Sequence, residues 1–152
     1  MDKVIISDAS CLIALFEIGK IHILKEVFTQ IVTTQEVALE FGHDIPSWIS
    51  IKKPANDITK NELERVLDSG EASAIALALE NPSQSILIID EKKGRKVAIE
   101  NHLEVIGTLR VLLLAKEKHV IPSVKETITE LAKRNFRFSQ EIIKQILLEA
   151  KE

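Results

Sequence analysis

The stretch Val4-Ile5-Ile6-Ser7-Asp8-Ala9-Ser10 is a short apolar run that ends on an acidic residue. A second stretch, Ile86-Leu87-Ile88-Ile89-Asp90-Glu91, repeats this design farther along the chain. Continuous β-branched runs of this length are typical of buried strands in a parallel sheet, whose two faces are both covered. Ligands bind at the carboxyl edge of such sheets, and two carboxylates brought together there repel unless a proton or a cation separates them. Asp8 and Asp90 therefore predict a cation site.

The composition is that of an ordinary globular domain. The chain has 152 residues, of which 45% are hydrophobic and 28% charged, so we expect a single domain over residues 1–152 and exclude disorder. No apolar run reaches the ~20 residues that a membrane span needs. Met1-Asp2-Lys3 lacks the layout of a signal peptide, and the single Cys11 cannot form an intramolecular disulfide. These features predict a cytoplasmic protein with no membrane partner.

The charge and the aromatic content argue against an ordinary nucleic-acid-binding module. The net charge is -3, whereas phosphate binding usually shows as a basic surplus. With no Tyr, one Trp and five Phe, the chain also lacks the aromatic platform on which single-strand binding modules stack bases. A nucleic acid would therefore be bound through metal and backbone contacts.

Strands alternate with helices along the chain, which predicts βαβ units and a parallel sheet with helices on both faces. Further short strands are expected at Ile31-Val32, within Trp48 to Lys53 near a sheet edge, and at Glu104-Val105-Ile106. Thr33 with Glu36 fits a capping box that starts a helix. Two later helices are expected over Ala72 to Leu79 and over Gln140 to Glu149.

The two strand-terminal acids have a simpler interpretation. Asp is a common N-cap, so Asp8 and Asp90 would each only cap the helix that follows. We favour a shared site because parallel topology brings both strand ends to the same edge. Ser10 could bond a ligand carboxylate or a metal-bound water, although Ser at a helix N-terminus is just as often a cap.

Two more acids extend the candidate site. Glu40 by itself is an exposed helical acid, and Asp68-x-x-Glu71 fits a capping box in which Asp replaces Ser or Thr. Together with Asp8 and Asp90, however, these glutamates match the all-oxygen ligands that Mg²⁺ and Mn²⁺ prefer. Zinc is disfavoured because the one Cys and the four His show no ligand spacing.

Several segments, taken in order, resemble the PIN-domain family. More narrowly, they resemble its small stand-alone branch, which is grouped with the toxins of bacterial and archaeal toxin–antitoxin pairs. The segments are Asp8-Ala-Ser-Cys-Leu-Ile, Thr34-Gln-Glu-Val-Ala-Leu-Glu40, Gly70-Glu-Ala-Ser-Ala-Ile-Ala-Leu-Ala, and Leu87-Ile-Ile-Asp90 with Gly94-Arg95. The resemblance runs from Lys3 to the C-terminus.

The resemblance implies an α/β fold, a three-layer α/β/α sandwich around a mainly parallel sheet of four to five strands. It implies an endoribonuclease that cleaves RNA phosphodiester bonds with Mg²⁺ or Mn²⁺. The catalytic and metal-binding residues carried over are Asp8, Glu40, Glu71 and Asp90. Glu91, which stands where this branch often has Asp, is a candidate additional acid.

The resemblance also implies an RNA substrate and an antitoxin protein as partners. The apolar face of the C-terminal helix and the helix from Leu109 to Ala115 would suit a homodimer interface or an antitoxin groove, with core packing as the alternative. Lys92 and Arg95 lie just beyond Asp90, where basic side chains would hold the substrate phosphates. With Ser10, they are the candidate substrate-binding residues. For Lys92, the alternative is the solvated start of a helix.

Two other functions fit the pattern of an acid after the first strand. A phosphotransfer enzyme of the haloacid-dehalogenase type also places Asp there, but that chemistry requires a second acid where this chain has Ser10. The non-enzymatic alternative is an interaction module on the PIN fold that binds a partner and cleaves nothing.

Overall fold

The structure is a computed structural model that describes residues 2–152. In chain order, its elements are β1 (Val4–Ser7), α1 (Ala9–Glu17), α2 (His22–Val27), β2 (Ile31–Thr33), α3 (Gln35–Phe41), β3 (Ile49–Ile51), α4 (Asp57–Leu63), α5 (Ser69–Leu79), a 3-10 turn (Pro82–Gln84), β4 (Ser85–Ile88), α6 (Lys92–Glu100), β5 (Glu104–Ile106), α7 (Thr108–Glu117), α8 (Val124–Lys133) and α9 (Gln140–Glu149). None of the helices within residues 2–152 is long and apolar enough to cross a membrane.

All five strands form one parallel sheet in the order β3-β2-β1-β4-β5. The expected three-layer α/β fold is therefore confirmed, and β3 is the edge strand expected near Trp48 to Lys53. Ser7 at the end of β1 lies beside Ile88 at the end of β4. Strand order runs outward from this pair in both directions, which makes their carboxyl ends the switch point where open α/β sheets bind ligands.

The central strand β1 is apolar throughout because helices cover both faces of the sheet. Ile5 packs into a core cluster to which α1, α2, α7 and α8 contribute, whereas Ile6 packs with α5 and α6 on the other face. Both isoleucines are 2% exposed, and burying such a side chain contributes about 1.5–3 kcal/mol. A polar residue at either position would face a core, so the strand shows no alternation.

The cap of α3 differs from the one expected. Thr33 lies inside β2, where its hydroxyl donates to the carbonyl of Ser7 at 3.0 Å. Thr34 is the N-cap, because its hydroxyl accepts from the N–H of Val37 at 3.2 Å. The predicted capping box of Thr33 with Glu36 is therefore wrong by one residue.

Helix α5 begins earlier than the predicted Ala72. Asp68 is its N-cap, and Oδ1 of Asp68 accepts from the N–H of Glu71 at 2.8 Å. This bond starts the helix at Ser69 and overrides the poor helix propensity of Gly70. As a result, Glu71 lies in the first turn of α5, close to the carboxyl edge of the sheet.

Candidate functional site

A small pocket opens at the carboxyl edge of the sheet, with a volume of about 80 Å³. Its lining comes from the starts of α1 and α5, the last turn of α3 and the residue before α6: Asp8, Ala9, Ser10, Glu40, Asp68, Gly70, Glu71 and Glu91. Three of the four expected acids therefore share one pocket with Ser10 and Glu91. The fourth, Asp90, lies beside this pocket.

Asp8 caps a helix and also contacts the other strand-terminal acid. It is the N-cap of α1, with Oδ1 accepting from the N–H of Cys11 at 3.0 Å. Its Oδ2 accepts from the N–H of Asp90 at 3.3 Å, so the two strand ends are bonded directly. Burial, and then the nearby carboxylate of Asp90, raise the pKa of Asp8 to about 7 against the opposing effect of these N–H groups.

Asp90 does not cap the next helix. Glu91 does so, accepting from the N–H of Gly94 at 2.9 Å, and this bond lowers the pKa of Glu91. The carboxylate of Asp90 is held by Thr108, whose N–H donates to Oδ1 at 2.9 Å and whose hydroxyl donates to Oδ2. The capping alternative for Asp90 is therefore wrong.

The turn before α7 leaves no room beside Asp90. A methyl group on Gly107 would lie 2.8 Å from Oδ1 of Asp90, closer than packed atoms approach. Thr108 itself is fully buried. The β5–α7 turn thus fixes one carboxylate of the site from a part of the chain outside the acid pocket.

Helices α3 and α5 place Glu40 next to the start of α5. The buried hydroxyls of Thr34 and Ser73 are hydrogen-bonded at 2.7 Å and join the two helices. A methyl group on Gly70 would lie 3.1 Å from Oε1 of Glu40, so a side chain there would push against the carboxylate. Burial, and then Asp68, raise the pKa of Glu40.

Among the glutamates of the pocket, Glu71 has the most strongly shifted pKa. Its side chain packs against α6, where a methyl group on Gly94 would lie 2.5 Å from Oε2. Burial, followed by the charges of Asp68 and Glu91, raises the pKa of Glu71 to about 8. Near neutral pH, the carboxyl group of Glu71 therefore keeps its proton unless a cation replaces it.

Within residues 2–152, no basic side chain forms an ion pair with the acids of this site. The ion pairs among residues 2–152 all use other acidic residues, and most of them lie on the surface. The carboxylates of Asp8, Asp90 and Glu91 instead accept hydrogen bonds from backbone N–H groups, and Asp90 also accepts from the Thr108 hydroxyl. Such an arrangement favours a cation.

The donor chemistry fits Mg²⁺ or Mn²⁺, since every acidic group at the pocket offers oxygen. The arrangement is not a preassembled chelate, because within residues 2–152 no three His, Cys, Asp or Glu side chains form a group that could hold a metal ion. The acids are thus neighbours around one pocket, and a metal would have to draw them together.

The expected substrate-binding cations lie elsewhere. Lys92 and Arg95 line a larger groove that includes Asp90, and they do not line the acid pocket. Nη1 of Arg95 donates to the carbonyl of Ile89 at 2.9 Å, which holds the guanidinium beside the end of β4. Ser10 is exposed at the acid pocket itself.

Two residues of the site were not singled out from the sequence. The sequence predicts Asp68 only as a cap, yet Asp68 lines the pocket and helps to raise the pKa of both Glu40 and Glu71. Thr108 has no role among the sequence predictions. The Gly-Thr pair after a short strand was the available signal, but the partner of Thr108 is 18 residues away in sequence.

Comparison with known proteins gives one match. A family model described as a PIN domain matches residues 4–152, which include every strand and helix described above. No curated protein and no solved structure matches the chain.

Proposed function

The chain belongs to the PIN-domain family, whose members are generally nucleases, and from this we propose that it is a metal-dependent endoribonuclease that hydrolyses RNA phosphodiester bonds. One observation carries the proposal. Acids from distant parts of the chain meet around a single pocket at the sheet's switch point, and within residues 2–152 no basic side chain forms an ion pair with them.

We assign the acids by their positions. Asp8 and Asp90 would be the principal ligands of Mg²⁺ or Mn²⁺, because the N–H of Asp90 already bonds the Asp8 carboxylate. Glu40 and Glu71 would bind a second ion directly or through water, with Glu91 as an additional acid. The bound metal would supply Lewis-acid stabilisation of the phosphate and an activated water. Glu71 must release its proton when the metal binds.

The remaining groups position the substrate. Exposed Ser10 lies beside Asp8, where its hydroxyl would bond the phosphate at the cleaved bond. Lys92 and Arg95, next to Asp90 in the larger groove, would hold the following phosphates. No side chain is needed as a nucleophile, and Cys11 is unsuited to that role because it is fully buried.

We further propose that the protein is the toxin component of a toxin–antitoxin pair, acting in the cytoplasm as a homodimer with an antitoxin protein as its partner. The support is the likeness of the four sequence segments to the small stand-alone branch of the family. This role requires that a neighbouring gene encode a short protein with a DNA-binding fold.

A second candidate function is a non-catalytic interaction module on the same fold. It is favoured by the absence, within residues 2–152, of three metal-binding side chains already grouped around one point. Such a module would keep the fold and bind a partner without hydrolysing RNA.

Metal-dependent cleavage separates these two functions. We expect the purified protein to cut a fluorogenic single-stranded RNA in Mg²⁺ or Mn²⁺, and to lose all cleavage in chelator because its carboxylates alone cannot activate water. Cleavage should return when the metal is restored. Full metal loading without cleavage would support the interaction module.

Thr108→Val should weaken metal binding as well as activity. Valine keeps the shape of threonine but removes the hydroxyl that bonds Oδ2 of Asp90. Loss of such an outer partner typically lowers metal affinity or activity about 10–100-fold. Mn²⁺ affinity measured by calorimetry, together with cleavage rate, tests this expectation.

Thr108→Ser is the matched control, because serine keeps both the N–H and the hydroxyl. It should bind Mn²⁺ within about twofold of the wild type. If Thr108→Val binds Mn²⁺ as tightly as Thr108→Ser while remaining folded, the hydroxyl does not position a metal ligand.

A further inference from the structure

A groove of about 1180 Å³ includes Asp90 and lies between α6 and α9. Its lining comes from α6, the end of β5, the start of α7, the connection before α9, and α9 itself. We call it the α6–α9 groove. It is far larger than the acid pocket, and Asp90 connects it to that pocket through its bond to Asp8.

The α6–α9 groove is more basic than the protein as a whole. Basic residues outnumber acidic ones in its lining, although Glu100 and Glu141 belong to it and the chain has a net charge of -3. Among residues 2–152, Lys96 and Arg137 take part in no ion pair, whereas Arg110 pairs with Glu149 at 3.1 Å. The groove therefore offers charge to a phosphate backbone.

The same groove exposes apolar side chains on its two helical sides. Ile99 of α6 is 57% exposed and Ile142 of α9 is 53% exposed. Phe138, just before α9, also lines the groove. In a duplex the bases are paired and stacked, so apolar side chains in the groove would add little binding energy. An unpaired strand presents its bases, which bury apolar surface while its phosphates bind cations.

We propose that the α6–α9 groove binds the single strand of RNA that continues from the cleaved bond, with its phosphates on Lys96 and Arg137 and unpaired bases on Ile99 and Ile142. The inference rests on the proposed nuclease function, to which it adds the path of the strand and the need for unpaired substrate. Direct continuity with Asp90 favours the substrate over an acidic protein segment as the occupant.

Binding measured without cleavage tests the groove. In chelator, fluorescence anisotropy would be followed with a labelled single-stranded RNA of about 12 nucleotides and with the same length as a duplex. Lys96→Gln and Arg137→Gln should each weaken single-strand binding about three- to tenfold and reduce the salt slope by about 1. Ile99→Ser and Ile142→Ser should weaken single-strand binding and leave duplex binding unchanged.

Lys144→Gln is the matched control, because Lys144 is an exposed lysine of α9 that neither lines the groove nor joins an ion pair within residues 2–152. Equal affinities of Lys96→Gln, Arg137→Gln and Lys144→Gln would overturn the proposal. It would also be overturned if Ile99→Ser and Ile142→Ser changed the oligomeric state but not RNA affinity, since the groove would then be a protein interface.

The failure of this proposal can be told apart from failure of the nuclease function. If the wild type cleaves RNA in Mn²⁺ while the groove variants keep full affinity, the groove assignment is wrong and the nuclease stands. If the groove variants lose affinity while the wild type cleaves nothing, the strand path is supported and the hydrolysis fails. If Ile99→Ser and Ile142→Ser weakened duplex binding and single-strand binding equally, the requirement for unpaired RNA would be overturned.

Discussion

Asp8→Asn and Asp90→Asn are each expected to lower metal-dependent RNA cleavage by a factor of about 10³. Asparagine matches aspartate in size but lacks the negative charge that holds a divalent cation. Both residues follow strands at the sheet's switch point, and the main-chain N–H of Asp90 already donates to the side-chain carboxylate of Asp8. Losing either charge should therefore empty the same metal site.

The two variants should remain folded. Asn is as good an N-cap as Asp, so the bond from the Cys11 N–H to residue 8 can persist, whereas the bond from the Asp90 N–H to Oδ2 is lost because an NH₂ group replaces that oxygen. At residue 90, an amide oxygen can still accept from the N–H of Thr108, and the amide NH₂ can donate to its hydroxyl. Far-UV circular dichroism and thermal unfolding would verify this for each variant.

Asp57→Asn is the matched control for both substitutions. Asp57 is an exposed acid in the first turn of α4 and lies outside the acid pocket. Its replacement should leave the cleavage rate unchanged. If Asp8→Asn and Asp90→Asn also cut at the wild-type rate, either the activity comes from a contaminant or the site lies elsewhere.

The sheet and its two strand-terminal acids could be predicted because they depend on local pattern. An unbroken β-branched run predicts a strand covered on both faces, and parallel pairing then brings the ends of such strands to one edge. Asp8 and Asp90 follow β1 and β4, which pair directly. For these residues, sequence order and spatial order are linked by a general rule.

The glutamates of the pocket follow no such rule. Their place depends on how α3 and α5 pack, including the bond between the hydroxyls of Thr34 and Ser73. Neither that contact nor the close approach of Gly70 to Glu40 has a periodic signature. Oxygen-ligand chemistry and the family resemblance singled out Glu40 and Glu71, and neither indicated the part played by Asp68.

For the basic residues beyond Asp90, the sequence predicted the position less well. Their sequence position placed them beside the acids, but Glu91 caps α6 and the side chain of Arg95 reaches back to the carbonyl of Ile89. Lys92 and Arg95 consequently line the α6–α9 groove. Because these cations follow Asp90 in the sequence, their position at this edge of the sheet could be predicted. Which side of the edge they would face could not be predicted, because it depends on how α6 begins.

Without metal, the free energy of unfolding should fall as the pH rises. The pKa of Asp8 is about 7 in the folded protein against an ordinary value of 3.8, so the folded protein holds a proton that the unfolded chain releases. Where the folded state binds more protons, stability decreases with pH. For Asp8, the loss accumulates from about pH 4 to about pH 7 and amounts to about 4 kcal/mol. Glu71, with a pKa of about 8, acts in the same direction and extends the window upward.

Urea unfolding in chelator, at several pH values between about 5 and 8, would measure this slope. Asp8→Asn should reduce the slope of unfolding free energy against pH. Near pH 8 it should be at least as stable as the wild type, because the buried charge is gone. Asp57→Asn should reproduce the wild-type slope. A wild-type stability that is constant across this range would contradict the shifted pKa of Asp8.

Saturating Mg²⁺ or Mn²⁺ should reverse the trend, since a cation that replaces the protons stabilises the ionised pocket. Metal binding favours the folded state, and it strengthens with pH because Asp8 and Glu71 must lose protons to bind. The gain from metal should therefore be small near pH 5 and largest near pH 8, and it should be largely lost in Asp8→Asn. A metal-induced gain of equal size in Asp8→Asn and the wild type would place the ion at another site, away from the acids that follow the strands.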